Sequence, residues 1–63
     1  MKMRLGIAMD NAAFADGNAS ETARILAKLA EWIQRDIELI DGDEFPLFDY
    51  NGNKVGTACI SND

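Results

Sequence analysis

The side chains of this chain that could do chemistry are almost all carboxylates. Eleven Asp and Glu stand against six Lys and Arg, with no histidine, in 63 residues. Without histidine there is no Ser-His-Asp or Cys-His constellation and no histidine-ligated metal. Cys59 is the single cysteine, so an internal disulfide framework is absent. It has no histidine to activate it, and its setting in a C-terminal strand fits a small buried residue. Ser20 fits a helix cap. Paired carboxylates can do acid-base work, but they need a cleft and shifted pKa values, and a domain this small has little room for both a core and a cleft. Asp49-Tyr50-Asn51-Gly52-Asn53 has an outward likeness to a calcium loop, but no glycine falls at the sixth position and no acid at the twelfth. Asp41-Gly42-Asp43-Glu44 is rich in oxygen, yet turns use the same residues. The expectation is a non-enzymatic protein with no metal and no cofactor.

The carboxylates are unevenly spread, and that carries more information than their number. Asp36, Glu38, Asp41, Asp43, Glu44 and Asp49 fall within residues 36–53, where there is no Lys or Arg, so this stretch carries −6 and the remainder +1. An acidic balance disfavours direct binding to nucleic acid, which requires cations on phosphate, and disfavours an anionic membrane surface in the same way. The natural complement is a basic protein surface. If a helix runs through this stretch, Asp36, Glu38 and Asp41 sit at its C-terminus, where the macrodipole prefers cations, at a cost of about 0.3–1 kcal/mol each. Departures from local stability of this kind tend to mark functional sites. Spaced carboxylates can also imitate the phosphates of duplex DNA. Asp36, Glu38, Asp41, Asp43, Glu44 and Asp49 are therefore the candidate partner-binding residues, with Trp32, one turn before Asp36, as an aromatic anchor.

Four elements must position these groups. Met3, Leu5, Ile7 and Met9 alternate with Arg4, Gly6 and Ala8, which predicts a strand over 3–9 with one buried face. Residues 10–18 read as a loop whose large apolar residue, Phe14, plugs one end of the core. Asn18-Ala19-Ser20-Glu21 has the form of a capping box, with Asn18 as N-cap (Ser20 the alternative) and Glu21 at N3. A helix follows, running to about residue 40 or fraying near Asp36, with Gly42 as a C′ glycine. Its expected apolar face is Ala23, Leu26, Ala27, Leu29, Ala30, Ile33, Ile37 and Ile40. Ile25, Trp32 and Leu39 widen that face at its border. Glu31 and Arg35 form a favourable i,i+4 pair. Phe45 to Ile60 reads as a hairpin around Asn51-Gly52, a type I′ signal that pairs Tyr50 with Asn53, Asp49 with Lys54 as an ion pair, and Phe48 with Val55. Pro46 places the first hairpin strand at an edge. The expected fold is α+β, with element order β-α-β-β: a single domain over 1–63 with one long helix packed on a three-stranded antiparallel sheet of order 1-3-2. The apolar run after Met1-Lys2-Met3-Arg4 is too short for a signal peptide or a membrane span. The chain reads as a complete small cytoplasmic protein, either a monomer or a homodimer.

Met9-Asp10-Asn11-Ala12-Ala13-Phe14, the helix Ala23-Arg24-Ile25-Leu26-x-Lys28-Leu29-Ala30 and the closing Asp49-x-Asn51-Gly52-Asn53-Lys54-Val55-Gly56 resemble small proteins of phages and bacterial mobile elements. Among these the chain resembles anti-CRISPR proteins, including those acting on type I-C systems. That resemblance implies an inhibitor working in the bacterial host cytoplasm, which blocks a surveillance complex at a DNA-binding surface, with the large subunit that reads the PAM as its target. It brings no site residues with it. The stretch Asp36-Ile37-Glu38-Leu39-Ile40-Asp41 departs from the shorter glycine-rich link of such proteins. The alternative is a structural or regulatory interaction module of a mobile element that binds through an apolar helix face.

Overall fold

A computed structural model describes residues 1–36 and 38–62. Strand β1 covers Lys2–Ile7, a short 3-10 turn Ala12–Phe14, helix α1 Asn18–Gln34, strand β2 Glu44–Phe48 and strand β3 Lys54–Ser61. The sheet is antiparallel with order β1-β3-β2. This is the expected β-α-β-β topology, with Pro46 on an edge strand. Ile37 of the expected apolar face lies outside the described residues.

The pairing register decides which side chains form the core. Leu5 stands opposite Ala58 and Ala58 opposite Phe45, while Ile7, Gly56 and Leu47 form the next row. Cross-paired residues share a face, so Met3, Leu5, Ile7, Phe45, Leu47, Ala58 and Ile60 all lie on the helix side. Phe45, Leu47, Ala58 and Ile60 are buried there together with Ile25, Leu29, Ala13 and Phe14. Phe14 plugs the core end, as expected.

Helix α1 differs from expectation in its extent and its orientation. Its N-cap is Gly17, without a side-chain cap; the Ser20 hydroxyl donates to the Gly17 carbonyl. The Asn18 capping box does not form, because Glu21 is turned inward to other donors. The helix ends at Gln34 with Arg35 as C-cap, so Glu38, Ile40 and Asp41 lie beyond it and the macrodipole penalty assigned to its last turns does not arise there. The buried stripe is Glu21, Ile25 and Leu29, an i,i+4 series. Ile25, expected at the border, is the most buried large side chain at 2% exposure, whereas Leu26 and the alanines 23, 27 and 30 face solvent. Counting apolar residues misplaced the face because alanine is compatible with either side of a helix. Glu31 lies 4.0 Å from Lys28, in place of the expected pairing with Arg35.

The sheet departs from expectation at its edge and at its turn. Met3 and Leu5 point to the core side but remain 42% and 41% exposed, because α1 packs on the β2 side of the sheet and leaves β1 bare. The hairpin pairs Phe48 with Lys54, not with Val55, after a register shift at Leu47/Phe48. Within the hairpin turn only Gly52 has positive φ (86°), and Gly52 N donates to Asp49 O. This is the three-residue loop in which a left-handed glycine closes an ordinary turn, and not a type I′ turn, since Asn51 keeps negative φ.

Gly56 is a fixed point of the sheet. A Cβ placed there would fall 1.9 Å from the Gly6 carbonyl oxygen, whereas a Cβ at Gly6 meets nothing within 4 Å. Gly56→Ala is expected to lower the urea-unfolding free energy by roughly 1–3 kcal/mol or to abolish folding, and Gly6→Ala to leave it nearly unchanged. Ile25→Ala should cost about 2–5 kcal/mol and Leu26→Ala far less, which tests the helix orientation by the same measurement.

Candidate functional site

The candidate carboxylates separate into two environments. Five of them, Asp36, Glu38, Asp41, Asp43 and Glu44, lie on the connection between α1 and β2 or at its end. Asp36, Glu38, Asp41 and Glu44 are exposed and Asp43 is half-buried. Arg35, Asp36, Glu38, Ile40 and Asp43 line a shallow bay. Residues 36–44 hold five acids and no base; the rest of the chain has six of each, so the entire net charge of −5 resides in this segment.

Residues 40–43 of this segment are held in shape by hydrogen bonds. Asp43 N donates to Ile40 O at 3.1 Å, with Gly42 at φ 95° between them. A glycine at the third position of such a turn supplies the positive φ that a type II turn needs. Gly42 is thus a turn residue and not the C′ glycine of α1. The Asp43 carboxylate accepts from Ile40 N at 3.0 Å, and the Asp41 carboxylate from Asn62 N at 3.0 Å. Gly42 N donates to Ile60 O, and Ile60 N donates to Asp43 O. These bonds fasten the turn to β3. Asp41 and Asp43 serve the loop's shape, while no side-chain hydrogen bond is made by Asp36, Glu38 or Glu44 among the described residues.

Asp49, the sixth candidate, does not join them. It is 4% exposed and makes no ion pair with Lys54. Its carboxylate accepts from Asn11 Nδ2 at 2.7 Å, from Asn51 N and Asn53 N at 2.9 Å, and from Asn53 Nδ2 at 3.3 Å. The Asp49-x-Asn51-x-Asn53 spacing is the sequence signal for this, since a turn aspartate accepts from backbone N–H groups just after it. Glu21, expected at N3 of the capping box, takes a buried structural role that its sequence position does not signal. It is 6% exposed and accepts from Arg24 Nε at 2.9 Å, Arg24 Nη2 at 3.1 Å and Tyr50 N at 2.9 Å. Arg24 Nη2 also donates to Phe48 O at 3.0 Å. The Arg24 guanidinium holds the Glu21 carboxyl below its ordinary pKa against the opposing effect of burial, and the Tyr50 N–H adds to the lowering. For Asp49 burial pushes upward, but the donors from Asn53, Asn11 and Asn51 together outweigh it and the pKa is lowered. Buried carboxylates saturated with donors and lowered in pKa are suited to structure, whereas a general acid needs the opposite shift. Among the described residues no group of acids and Cys59 could hold a metal ion.

Trp32 is 41% exposed and packs edge-on against Phe45, with ring centroids 5.3 Å apart at 83°. It lies in a groove of about 400 Å³ between α1 and β2, along with Lys28, Arg35, Pro46 and Phe48. Arg35 borders both the groove and the bay. Cys59 is half-buried on the sheet face away from the helix, in a row with Arg4 and Glu44. No described helix is long and apolar enough to cross a membrane. No family model, curated protein or solved structure matches the chain.

Because both buried carboxyls have lower pKa values folded than unfolded, their ionised forms stabilise the fold. That contribution is complete above the ordinary carboxylate range and is lost as pH falls through the folded values. The melting temperature is expected to drop on acidification below about pH 4. Asp49→Asn, which forfeits acceptors for Asn11 and Asn53, should melt lower at neutral pH and show a shallower acid dependence. Thermal unfolding followed by circular dichroism at stepped pH checks both; a wild-type melting temperature that stays flat on acidification would contradict them.

Proposed function

We propose that this chain is a small non-enzymatic inhibitor that seats the acidic 36–44 segment on a basic protein surface of the kind that holds nucleic acid, in the manner of a DNA mimic. The observation that carries the reading is the confinement of all the net charge to residues 36–44, a segment with no cation that includes the hydrogen-bonded turn at 40–43. A preorganised set of carboxylates loses little freedom on binding, and complementary charge raises both the rate and the selectivity of association. The resemblance to anti-CRISPR proteins makes the DNA-binding surface of a type I-C surveillance complex, at its large subunit, the first target to try, within a bacterial cytoplasm.

A second reading rests on the groove between α1 and β2. Trp32 and Phe48 are exposed there beside Lys28 and Arg35. Such a site suits an interaction module that anchors a partner by aromatic contact, as a regulatory protein of a mobile element would.

The two readings separate in one assay, the block of duplex DNA binding by a purified type I-C surveillance complex at two salt concentrations. The triple variant Asp36→Lys, Glu38→Lys, Glu44→Lys changes exposed carboxylates that do not hold the turn. It is expected to weaken inhibition by about tenfold or more, while wild-type inhibition should weaken as salt rises. Undiminished inhibition by the triple variant would falsify the acidic-mimic reading. A larger loss from Trp32→Ala, with little salt dependence, would establish the groove instead.

A further inference from the structure

We propose that β1 is the seam of a two-fold homodimer, formed by antiparallel pairing of β1 with β1 of a second copy about Leu5. This inference is independent of the function proposed above.

The backbone of β1 supplies the first reason. Ala8 N donates to Val55 O at 2.8 Å. Alternation along an antiparallel ladder then turns the backbone groups of Arg4 and Gly6 toward β3 and those of Met3, Leu5 and Ile7 outward, where β1 has no neighbour in the sheet. The other edge is blunted, because Pro46 of β2 has no N–H to offer. On β1 there is no proline, and residues 2–7 pair with β3 without a register shift. An unblocked edge of this length is a template for a further strand.

The side chains supply the second. Met3 and Leu5 lie on the core side of the sheet but are exposed, since α1 does not reach over them. Leu26, about 100° round the helix from Ile25 and on the side away from the β2 groove, is exposed as well. Met3 and Leu5 form an apolar strip along an open strand edge, and α1 exposes Leu26 on the side turned from the groove. A second copy joined through β1 would continue the sheet to six strands with both helices on one face, and would set the exposed Leu5 of each copy against the other's.

The choice of a second copy, and not some other chain, rests on register and charge. Pairing about Leu5 sets Leu5 opposite Leu5, Met3 opposite Ile7, Arg4 opposite Gly6 and Lys2 opposite Ala8. The outward-facing backbone groups of residues 3, 5 and 7 meet their own kind as hydrogen-bonded pairs. No like charges stand directly opposite, which a strand pair disfavours. Gly6 leaves open space above it, so the stem of the partner's Arg4 has somewhere to lie. The acidic turn is tied to the Ile60 end of β3, level with Met3. The two-fold therefore carries the two −5 segments to opposite ends of the joined sheet.

The test is the molar mass of the full chain by light scattering after size exclusion over a range of concentrations, together with amide hydrogen exchange by NMR. The expected result is twice the 6.9 kDa chain mass at high concentration, with slow exchange at the Met3, Leu5 and Ile7 amides. Leu5→Lys, at an exposed position, sets like charges on the two-fold and should return the mass to 6.9 kDa with an unchanged circular dichroism spectrum. If Leu5→Lys fails to fold, exchange at these three amides in the wild type decides. A wild-type chain that stays monomeric with fast-exchanging Met3, Leu5 and Ile7 amides overturns the proposal, as does a dimer in which those amides exchange fast.

Discussion

Two buried carboxylates, Glu21 and Asp49, set the geometry of the molecule. Each is closed off from water, and each accepts from donors close by in sequence and from one far away in it. Asp49 gathers the start of the 3-10 turn through Asn11 and the hairpin loop through Asn51 and Asn53. Glu21 joins the first turn of α1 to Tyr50, and Arg24 extends the link to Phe48. An unpaired buried carboxylate is costly, so these segments have to arrive together. Among the described residues no buried side-chain polar atom is left without a partner. The network also fixes where the helix lies. Because its N-terminal turn is bound to the end of β2 and the loop after it, α1 rests on that side of the sheet and leaves β1 uncovered.

The same residue type does opposite work at the two ends of the chain's acidic half. Asp49 stabilises by accepting inward, and its charge is spent on neighbouring N–H groups. Asp36, Glu38 and Glu44 face water. Between these extremes, Asp41 and Asp43 use their carboxylates to hold the turn that displays the others. Discounting Asp49 tightens the charge segment from residues 36–53 to 36–44 and leaves the rest of the protein neutral.

The topology was legible because it rests on strong local signals: period-2 alternation before residue 10, a long helical stretch, a proline at an edge strand and a glycine-bearing turn. The helix face was not, because four alanines blur a hydrophobic stripe and because the true stripe includes Glu21. A buried glutamate is visible only once its donors are known, and Tyr50 N lies 29 residues away. The hairpin type was misread for a related reason. Asn-Gly permits a two-residue turn, but the Asp49 carboxylate rewards a loop that points the N–H groups of Asn51 and Asn53 inward. The bare state of β1 depends on where the helix comes to rest, which no pattern within residues 3–9 encodes. The charge asymmetry was legible in full, as it needs only counting, though which acids are displayed depends on burial.

A neutral body with its whole net charge gathered in one segment behaves as an electric dipole. In the field of a basic surface it experiences a torque before it experiences contact, and the 36–44 end turns forward while the protein is still diffusing. Docking one specific patch on another ordinarily slows association well below the rate of collision, because most collisions arrive misaligned. Toward a basic surface of the kind proposed, the alignment would be partly done in transit. On the proposed reading, Gly42 and the bonds that pin its turn to β3 would set the direction of approach as well as the shape presented on arrival.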